Sequence, residues 1–345
     1  MLKSATFKNF TTVPNQEFQF GASLNVIVGE NGLGKSHVLK AIYSLLKVQS
    51  NKTAELTKTA LEKAYAEKLV AVMRPEALGR LVKRKQGRDR CELTLNMQET
   101  SQCATIAFAS SAKSQVEVAR APTEALPLSP VYLPTRELAT LCPWFLPLYD
   151  NYHLEFEETW RDTVSLLGAP SVKGPRETTV AKLLAPIEHA MNGRVIVDNK
   201  TGRFYLSVPG GGQMEMPLVA EGVRKLVMLA RLISTGVLLE QGYLFWDEPE
   251  TNLNPKLIRT VAASIVHLAR HGIQVFIATH SLFLLRELEI LRFEPGSKKI
   301  DTRYFGLHAD ASGVNVAQGE RLEEIGTIVA LDESLMQSDR YLEVE

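Results

Sequence analysis

The chain has 345 residues, 45% of them hydrophobic, with 39 basic and 39 acidic side chains. This length suits one large α/β domain with an insertion, or two modest domains. The net charge of zero excludes an overall field that would attract nucleic acid, and the scattered Cys91, Cys103 and Cys142 exclude a zinc cluster. No apolar stretch is long enough to span a bilayer, and the N-terminus leads into a predicted strand, so we expect a soluble cytoplasmic protein without a membrane partner.

A glycine-rich loop at 29–36 is the first motif with chemical content. An apolar run at 24–28 is typical of a buried strand, the loop GENGLGKS follows it, and a helix is predicted next. This order identifies a P-loop, or Walker A motif, whose backbone N–H groups bind phosphate. The predicted nucleotide-binding residues of the loop are Asn31, Gly32, Gly34, Lys35, Ser36 and His37.

Lys35 and Ser36 carry the predicted chemistry of this loop. The Lys35 amine should reach the β- and γ-phosphates of ATP, and the Ser36 hydroxyl should ligate Mg²⁺. A plain glycine turn between a strand and a helix would explain neither side chain. The loop therefore predicts ATP and Mg²⁺ as cofactors.

Residues 49–130 are predicted to form an insertion. Its first part, at about 53–86, favours a helix that Pro75 interrupts. The alternating runs at 91–97 and 105–108 favour a β-meander. We expect a small arm or lid.

The segment 74–90 within this insertion is basic. It holds seven basic and two acidic residues, a local net charge of +5 (7 minus 2). One explanation is a solvated face; the other is a contact for nucleic acid or an acidic surface, including the chain's own acidic tail at 317–345. The charged residues are Arg74, Glu76, Arg80, Lys83, Arg84, Lys85, Arg88, Asp89 and Arg90.

The next stretch, 138–192, is predicted to be helical with prolines at its joints, and 194–208 to return as a hairpin. A further helix is predicted at about 221–236. An apolar run at 243–246 then ends in two carboxylates, Asp247 and Glu248.

These two carboxylates are placed for catalysis if the run before them is a strand of a parallel sheet, because α/β folds hold their sites at the carboxyl ends of such strands. Asp247 is then predicted to hold Mg²⁺, directly or through water. Glu248 is the candidate general base that polarises the attacking water. Another buried strand is predicted at 273–279, and His280 follows it.

The ordered motifs resemble those of the ABC-type ATPases of the RecF, SMC and OLD group. The opening FKNF at 7–10, the Walker A loop and the D-loop form PETNLNP at 249–255 carry the resemblance. Residues 218–225 and 246–255 look closest to stand-alone OLD-like prokaryotic ATPases, many of which lie in phage-defence or toxin-like operons. The resemblance covers about residues 1–45 and 130–310.

The resemblance implies an α/β fold: an ABC-type P-loop NTPase head with a mixed or parallel central sheet and a short helical arm or lid. It implies an ATPase whose catalytic residues are Lys35, Glu248 and His280, the last as the H-loop histidine that senses the γ-phosphate. The expected parts are the N-terminal head with Walker A (1–48), the arm or lid (49–130), the C-terminal head with helical subdomain, signature, Walker B and H-loop (131–310) and an acidic tail (311–345).

The signature motif departs from the pattern of this group. Ala220 stands where the serine that contacts the γ-phosphate of the opposite subunit would be. The resemblance implies that Ala220, Glu221 and Gly222 meet that nucleotide, with Arg224 or Lys225 supplying charge.

A Q-loop glutamine is not assigned by the sequence. Gln98 and Gln102 are the nearest candidates, and Arg136 is an alternative polar residue near the site. Because the resemblance places the signature far from its own P-loop, a site is complete only where two chains meet head to tail. A two-fold homodimer is the simplest closed solution, and higher homo-oligomers remain open.

Two functions compete. In the first, the ATPase is a dimer switch or scaffold that controls a separate effector, a nuclease or toxin, in anti-phage defence; the residues after His280 carry no recognisable nuclease or metal motif. In the second, it is a RecF-like ATPase of DNA repair or chromosome processing that binds DNA through 74–90. The subunit of a transporter is a third interpretation, which the missing signature serine disfavours.

Overall fold

A computed structural model gives the structure of the protein and describes residues 1–53, 56–83, 89–152, 154–171, 177–198, 200–240, 242–295, 298–311 and 313–344. The strands are β1 (Leu2–Lys8), β2 (Glu17–Gln19), β3 (Leu24–Gly29), β4 (Arg90–Met97), β5 (Ala104–Ala109), β6 (Glu117–Arg120), β7 (Pro130–Leu133), β8 (Arg194–Val197), β9 (Phe204–Val208), β10 (Gly212–Glu215), β11 (Tyr243–Asp247), β12 (Gln274–Thr279), β13 (Thr302–Asp310) and β14 (Gly313–Gly319). The helices are α1 (Lys35–Gln49), α2 (Lys58–Met73), α3 (Phe145–Tyr152), α4 (Glu158–Leu167), α5 (Glu177–Met191), α6 (Glu221–Ser234), α7 (Val237–Glu240), α8 (Pro255–Arg270), α9 (Leu282–Arg292) and α10 (Val329–Leu342). Across the described ranges, no helix combines the length and the apolar character that crossing a membrane requires.

A six-stranded sheet forms the centre of the fold. Its order is β14-β13-β3-β12-β11-β7, and neighbours pair in parallel except β14, which is antiparallel to β13. The three runs predicted to be buried strands are β3, β12 and β11, which are adjacent in this sheet. Their carboxyl ends therefore lie side by side. The Walker A loop follows β3, the Walker B carboxylates Asp247 and Glu248 lie at the end of β11, and His280 follows β12.

Both faces of the central sheet are covered, which explains why its strands are apolar throughout. Along β3, Val26 and Val28 belong to one hydrophobic core and Ile27 belongs to the other. On β11, Trp246 faces the first core, whereas Phe245 faces the second. Successive side chains of each strand thus point into opposite cores, and these contacts hold the strand between the two layers.

A five-stranded antiparallel sheet, β2-β1-β4-β5-β6, lies on the second core together with α1 and α2. Strand β1 pairs with β4, with Ala5 opposite Leu95. The predicted β-meander is present as β4 and β5 and continues into β6. The described strands of segment 49–130 are therefore part of the head's own sheet instead of a free arm.

Helix α2 provides the helical part of that segment. Its buried residues Leu61, Tyr65, Leu69 and Val72 recur every three or four positions and pack into the second core. The helix ends shortly before Pro75, as the sequence predicted, but it is shorter than the range 53–86. A separate 3₁₀ turn at Leu78–Leu81 follows.

Helices α3 to α6, α8 and α9 cover the first core with the three-stranded sheet β10-β9-β8. The helical stretch and the hairpin predicted for 138–208 both lie here, as α3 to α5 and β8–β9. Asn199, in the predicted hairpin turn, is outside the described residues. This layer carries α6, the predicted signature helix, which packs on the residues that follow β11.

The C-terminal residues follow two paths. Strands β13 and β14 form a hairpin at the edge of the central sheet, so residues 313–319 of the predicted tail pair within the head. Helix α10 buries none of its residues and carries Asp332, Glu333 and Asp339 on its surface. The boundaries at 48, 130 and 310 stay predictions.

Candidate nucleotide-binding and hydrolysis site

The Walker A loop connects β3 with α1, as predicted. Gly32 and Gly34 have φ of +85° and +95°, which residues with a side chain rarely adopt. A Cβ at Gly34 would also lie 2.9 Å from the Thr12 hydroxyl. Glycine at these positions allows the loop to turn tightly into α1, whose first-turn N–H groups have no acceptor within the helix.

The Lys35 side chain folds back into the loop. Its Nζ donates to the carbonyl oxygens of Gly29 at 2.8 Å and Glu30 at 2.9 Å. Burial lowers the pKa of this amine, and the nearby carboxylates Glu248 and Asp247 oppose that change. Phosphate oxygens would replace two neutral carbonyls as partners of the amine.

His37, Asn31 and Gly32 contribute differently to the loop. The His37 ring places Nδ1 2.9 Å from the Thr11 hydroxyl oxygen, and burial lowers its pKa. Because the His37 ring is engaged with Thr11, the predicted contact of His37 with nucleotide would be made by its backbone N–H. Asn31 and Gly32 are exposed at the tip of the loop.

Ser36 and Asp247 meet at the predicted Mg²⁺ position. The Ser36 hydroxyl donates to Asp247 Oδ1 at 3.0 Å, and the Tyr132 hydroxyl lies 3.3 Å from Oδ2. Burial raises the pKa of Asp247, while these hydrogen bonds stabilise its charged form. A hydroxyl and a buried carboxylate are hard oxygen donors, which fit Mg²⁺.

Glu248 and His280 are also brought together. His280 Nδ1 lies 3.3 Å from Glu248 Oε1, and the Thr251 hydroxyl donates to Oε2 at 3.3 Å. The Glu248 backbone has a φ of +46°, and its N–H donates to the carbonyl of Ala278 at 2.9 Å. The predicted general base and the predicted histidine therefore occupy one corner of the sheet edge.

Glu250 is a buried member of this corner that was not among the residues predicted from the motifs. Its Oε1 accepts from the Thr279 hydroxyl at 2.6 Å and lies 3.9 Å from His280 Nδ1. Burial raises the pKa of Glu250. The sequence contains a signal for it, because Glu250 lies two positions after Glu248 in the run DEPE.

The predicted roles of Arg224 and Lys225 need correction. Lys225 is 1% exposed, and its Nζ donates to the backbone carbonyl of Glu248 at 3.0 Å. Burial lowers its pKa to about 8. Arg224 Nη1 lies 3.2 Å from Glu137 Oε1. Both cations are engaged within their own chain, so neither is available to a partner's phosphate in this structure.

The start of α6 divides into an exposed and a buried part. Ala220 and Glu221 are exposed, whereas Gly222 is buried against the D-loop, where a Cβ would lie 2.4 Å from the carbonyl oxygen of Asn252. Among the described residues, no hydrogen bond or ion pair joins these three residues to the P-loop of the same chain. Their contact with nucleotide stays a prediction.

The region beside Asp247 comes from the end of β7. A cavity of about 110 Å³ opens there, whereas Gln98 and Gln102 lie on the β4–β5 connection of the other sheet. Of the three candidates for the Q-loop position, Arg136 is thus the one beside the site. The cavity is lined by Lys40, Tyr132, Pro134, Thr135, Arg136, Glu157, Trp160 and Asp247.

A larger cavity, of about 840 Å³, opens beside the P-loop. Glu30, Asn31 and His280 line one part of it, and 325–330, which lead into α10, line another. The C-terminal segment therefore borders the candidate site.

The basic segment 74–90 is only partly described. Arg80 lies 2.9 Å from Glu76, and Arg90 pairs with Glu117. The predicted contact residues Arg84, Lys85 and Arg88 lie outside the described residues.

Two family models and several curated proteins match parts of this sequence. A family model described as "AAA domain, putative AbiEii toxin, Type IV TA system" matches residues 133–286, and one described as "AAA domain" matches 4–120. The chain is 35% identical over 57 residues to the DNA replication and repair protein RecF of Francisella tularensis subsp. novicida, and 38% identical over 52 residues to RecF of Streptococcus gordonii. These matches span 16% and 15% of this chain and 16% and 14% of the two relatives.

Solved structures give the fold. The SMC head bound to the C-terminal winged-helix domain of ScpA matches with a TM-score of 0.57 and 14% identity, covering 93% of this chain and 98% of that one. The SMC head with an extended coiled coil, bound to the C-terminal domain of ScpA derived from Pyrococcus furiosus, matches with a TM-score of 0.52 and 12% identity, covering 98% and 99%. The predicted α/β class is confirmed. The chain therefore has a fold similar to that of the SMC heads, with matches to AAA-domain models over residues 4–120 and 133–286.

Proposed function

We propose that this protein is an ATPase that acts as a nucleotide-driven switch: two chains close around two ATP molecules and separate after hydrolysis. The observation that supports the proposal is the placement of the exposed Ala220 and Glu221 at the start of α6, where the described residues show no bond from them to the P-loop of their own chain. A second chain related by a two-fold axis would bring these residues to the nucleotide.

In this proposal, the residues at the sheet edge have separate roles in ATP hydrolysis. When bound, Mg²⁺ neutralises charge on the β- and γ-phosphates, and Ser36 and Asp247 would hold it. Lys35 exchanges its loop carbonyls for phosphate oxygens. Glu248 accepts a proton from the attacking water while the bond between the γ-phosphorus and the bridging oxygen breaks, and His280 orients the water and the γ-phosphate.

Lys35→Ala and Glu248→Gln separate binding from chemistry. Lys35→Ala removes the cation that meets the phosphates, so we expect loss of ATP binding. Glu248→Gln keeps the shape of the side chain but removes the base, so we expect ATP binding with turnover reduced about 100-fold or more. Binding of a fluorescent ATP analogue and steady-state phosphate release measure the two effects.

Glu248→Gln also tests the switch. We expect a dimer at saturating ATP in sedimentation velocity, because the closed state cannot be released by hydrolysis. A Glu248→Gln protein that stays monomeric at saturating ATP, together with a wild type that hydrolyses ATP, would contradict the dimer switch. Equal loss of ATP binding in both variants would contradict the role given to Glu248.

We propose that the switch controls a separate effector protein, a nuclease or toxin, and that the pair acts in anti-phage defence. Support comes from the family model over 133–286, whose description names a putative toxin of a toxin–antitoxin system. Tagged wild-type and Glu248→Gln proteins purified from the native host should retain an effector in different amounts. Equal retention of an effector in both states, or retention of none, would argue against nucleotide control.

A RecF-like role on DNA is the second candidate. The sequence match to RecF favours it, and Arg74, Arg80 and Lys83 supply basic side chains in the described part of 74–90. Duplex DNA should then stimulate turnover, and rising salt should weaken the effect steeply. Unchanged DNA binding and turnover after charge reversal of Lys83, Arg84 and Lys85 would remove this candidate.

A further inference from the structure

The first turn of α6 packs directly on the segment 248–253, which carries the candidate general base and the D-loop. Gly222 approaches so closely that a Cβ there would lie 2.4 Å from the Asn252 carbonyl oxygen and 3.1 Å from the Leu253 side chain. One turn later, the Lys225 Nζ donates to the Glu248 carbonyl at 3.0 Å. Residues three apart on a helix share a face, so both contacts hold the same surface of α6 against this segment.

The backbone of this segment needs support. Glu248 and Asn252 have φ of +46° and +62°, in the left-handed region that residues other than glycine rarely adopt. Such a conformation persists where the surrounding structure determines it. At Glu248 the N–H donates to Ala278 on the neighbouring strand, and the carbonyl accepts from the Thr251 N–H and from Lys225. Of these bonds, the one from Lys225 joins the Glu248 carbonyl to the signature helix.

A buried lysine at position 225 lowers stability because its charged group is removed from water. Filling this space does not need a charged side chain. Lys225 is almost fully buried, and burying an ammonium group is unfavourable unless it is paired and hydrogen-bonded. An apolar side chain of similar length would fill the same space without that cost. The donor group is therefore the feature that distinguishes lysine here.

We propose that Lys225 is a positioning residue, which fixes the Glu248 carboxylate for hydrolysis by holding the Glu248 backbone to the signature helix. The proposal rests on the role given to Glu248 above. It also gives the altered signature helix a function within its own chain, separate from any contact between Ala220 and a partner's nucleotide.

Lys225→Met tests the proposal by removing the donor while keeping the length of the side chain. We expect kcat to fall by about 10- to 100-fold, because small displacements of a reacting group cost rates of this order. KM and the Kd for ATP should change little, since within the described residues the Lys225 amine bonds to Glu248 and not to the P-loop. Lys225→Arg retains a donor and should recover part of the loss.

Arg231→Met is the matched control. Arg231 is a buried cation on the same helix, and its guanidinium donates to the carbonyls of Leu167 and Ala169, away from the carboxylates. We expect Arg231→Met to lower the thermal midpoint but to leave the kcat of the folded protein near that of the wild type. If kcat fell equally in the two variants, the loss in Lys225→Met would be explained by general destabilisation of the protein. That result would overturn the proposal.

A double-mutant cycle with Glu248→Ala separates positioning from a direct effect. The Glu248→Ala protein keeps the backbone carbonyl but has no carboxylate to position, so Lys225→Met should cost nothing further there. A loss of the same factor in both backgrounds would overturn the proposal. Wild-type turnover in Glu248→Ala itself would instead refute the role of Glu248, which the cycle reports independently.

Hydrogen exchange gives a second measure that does not need turnover. Lys225→Met should accelerate exchange of the amides at 248–253, whereas Arg231→Met should leave this segment unchanged. Unchanged exchange at 248–253 in Lys225→Met would overturn the proposal.

Discussion

At the scale of single residues, the site is a group of carboxylates balanced by two lysines from other elements. Lys35 and Lys225 each interact electrostatically with Asp247, Glu248 and Glu250. Burial lowers the pKa of both lysines and raises that of Asp247 and Glu250. Because the opposite charges oppose these changes, the loss of one group shifts the pKa of the others.

Lys225 gives this group an effect on stability that depends on pH. Burial lowers its pKa from 10.5 to about 8. Between pH values of about 8 and 10.5, the unfolded chain binds a proton at Lys225 that the folded chain does not. The free energy of unfolding therefore rises with pH across this window. The gain is lost again as the pH falls to about 8.

Comparison with Lys225→Met isolates this contribution. The free energy of unfolding of the wild type relative to Lys225→Met should rise by about 1.4 kcal/mol per pH unit at most between pH values of about 8 and 10.5. Urea unfolding of the nucleotide-free proteins at several pH values in this window measures the difference. A difference that stays constant with pH would show that Lys225 titrates normally.

The sequence predicted which residues lie at this sheet edge better than it predicted the residues that support them. Glu248 and His280 follow recognisable strands, so their motifs placed them correctly beside one another. Lys225 was expected to face a partner chain, yet it points into its own chain. Helical periodicity gives the faces of α6, but which element covers a face depends on contacts between distant parts of the chain.

At the scale of elements, local signals set the turns around the site. Asn254 caps α8 by accepting from the N–H of Leu257, with Pro255 in the first turn, and Ser281 caps α9 by accepting from Leu284. Such caps can be read from the sequence. The pairing of β1 with β4 could not be predicted from the sequence, because no local signal indicates which distant strands will pair.

Gly222→Ala tests the packing of α6 on the D-loop. In an exposed helix this change stabilises by up to about 1 kcal/mol, but here the new Cβ would lie 2.4 Å from a backbone oxygen. We expect the free energy of unfolding to fall by about 1 to 3 kcal/mol and turnover to fall with it, while the Kd for ATP stays near the wild-type value.

Gly168→Ala is the control for Gly222→Ala. Gly168 ends α4 with an ordinary φ of −74°, and a Cβ there would meet its nearest atom at 3.6 Å. It should leave stability and turnover almost unchanged. Full activity of Gly222→Ala would mean that α6 can shift relative to 248–253 without disturbing the site.

At the scale of the whole molecule, the central sheet brings together Ser36 and Asp247, which are 211 positions apart. The apolar runs predicted its main strands, because a strand buried on both faces reads as a continuous apolar segment. The division of the chain was harder to predict. Strand β14 lies beyond the expected boundary at 310 and still completes the sheet, because an antiparallel hairpin extends a sheet edge at little topological cost.

A composite site between two chains predicts complementation between two inactive variants. Lys35→Ala disables the P-loop of a chain. Ala220→Asp places a negative charge where the signature would meet a phosphate, while aspartate is a favourable residue at the start of a helix, so the variant should fold. Each variant alone should be inactive.

An equal mixture should recover turnover. In a mixed dimer, the intact P-loop of the Ala220→Asp chain faces the intact signature of the Lys35→Ala chain, so one of the two sites is complete. If chains exchange at random, half of the dimers are mixed, and turnover should reach about a quarter of the wild-type value. Phosphate release from the mixture measures this value. A mixture as inactive as its components would mean that each chain completes its own site, and the exposed start of α6 would then need another partner.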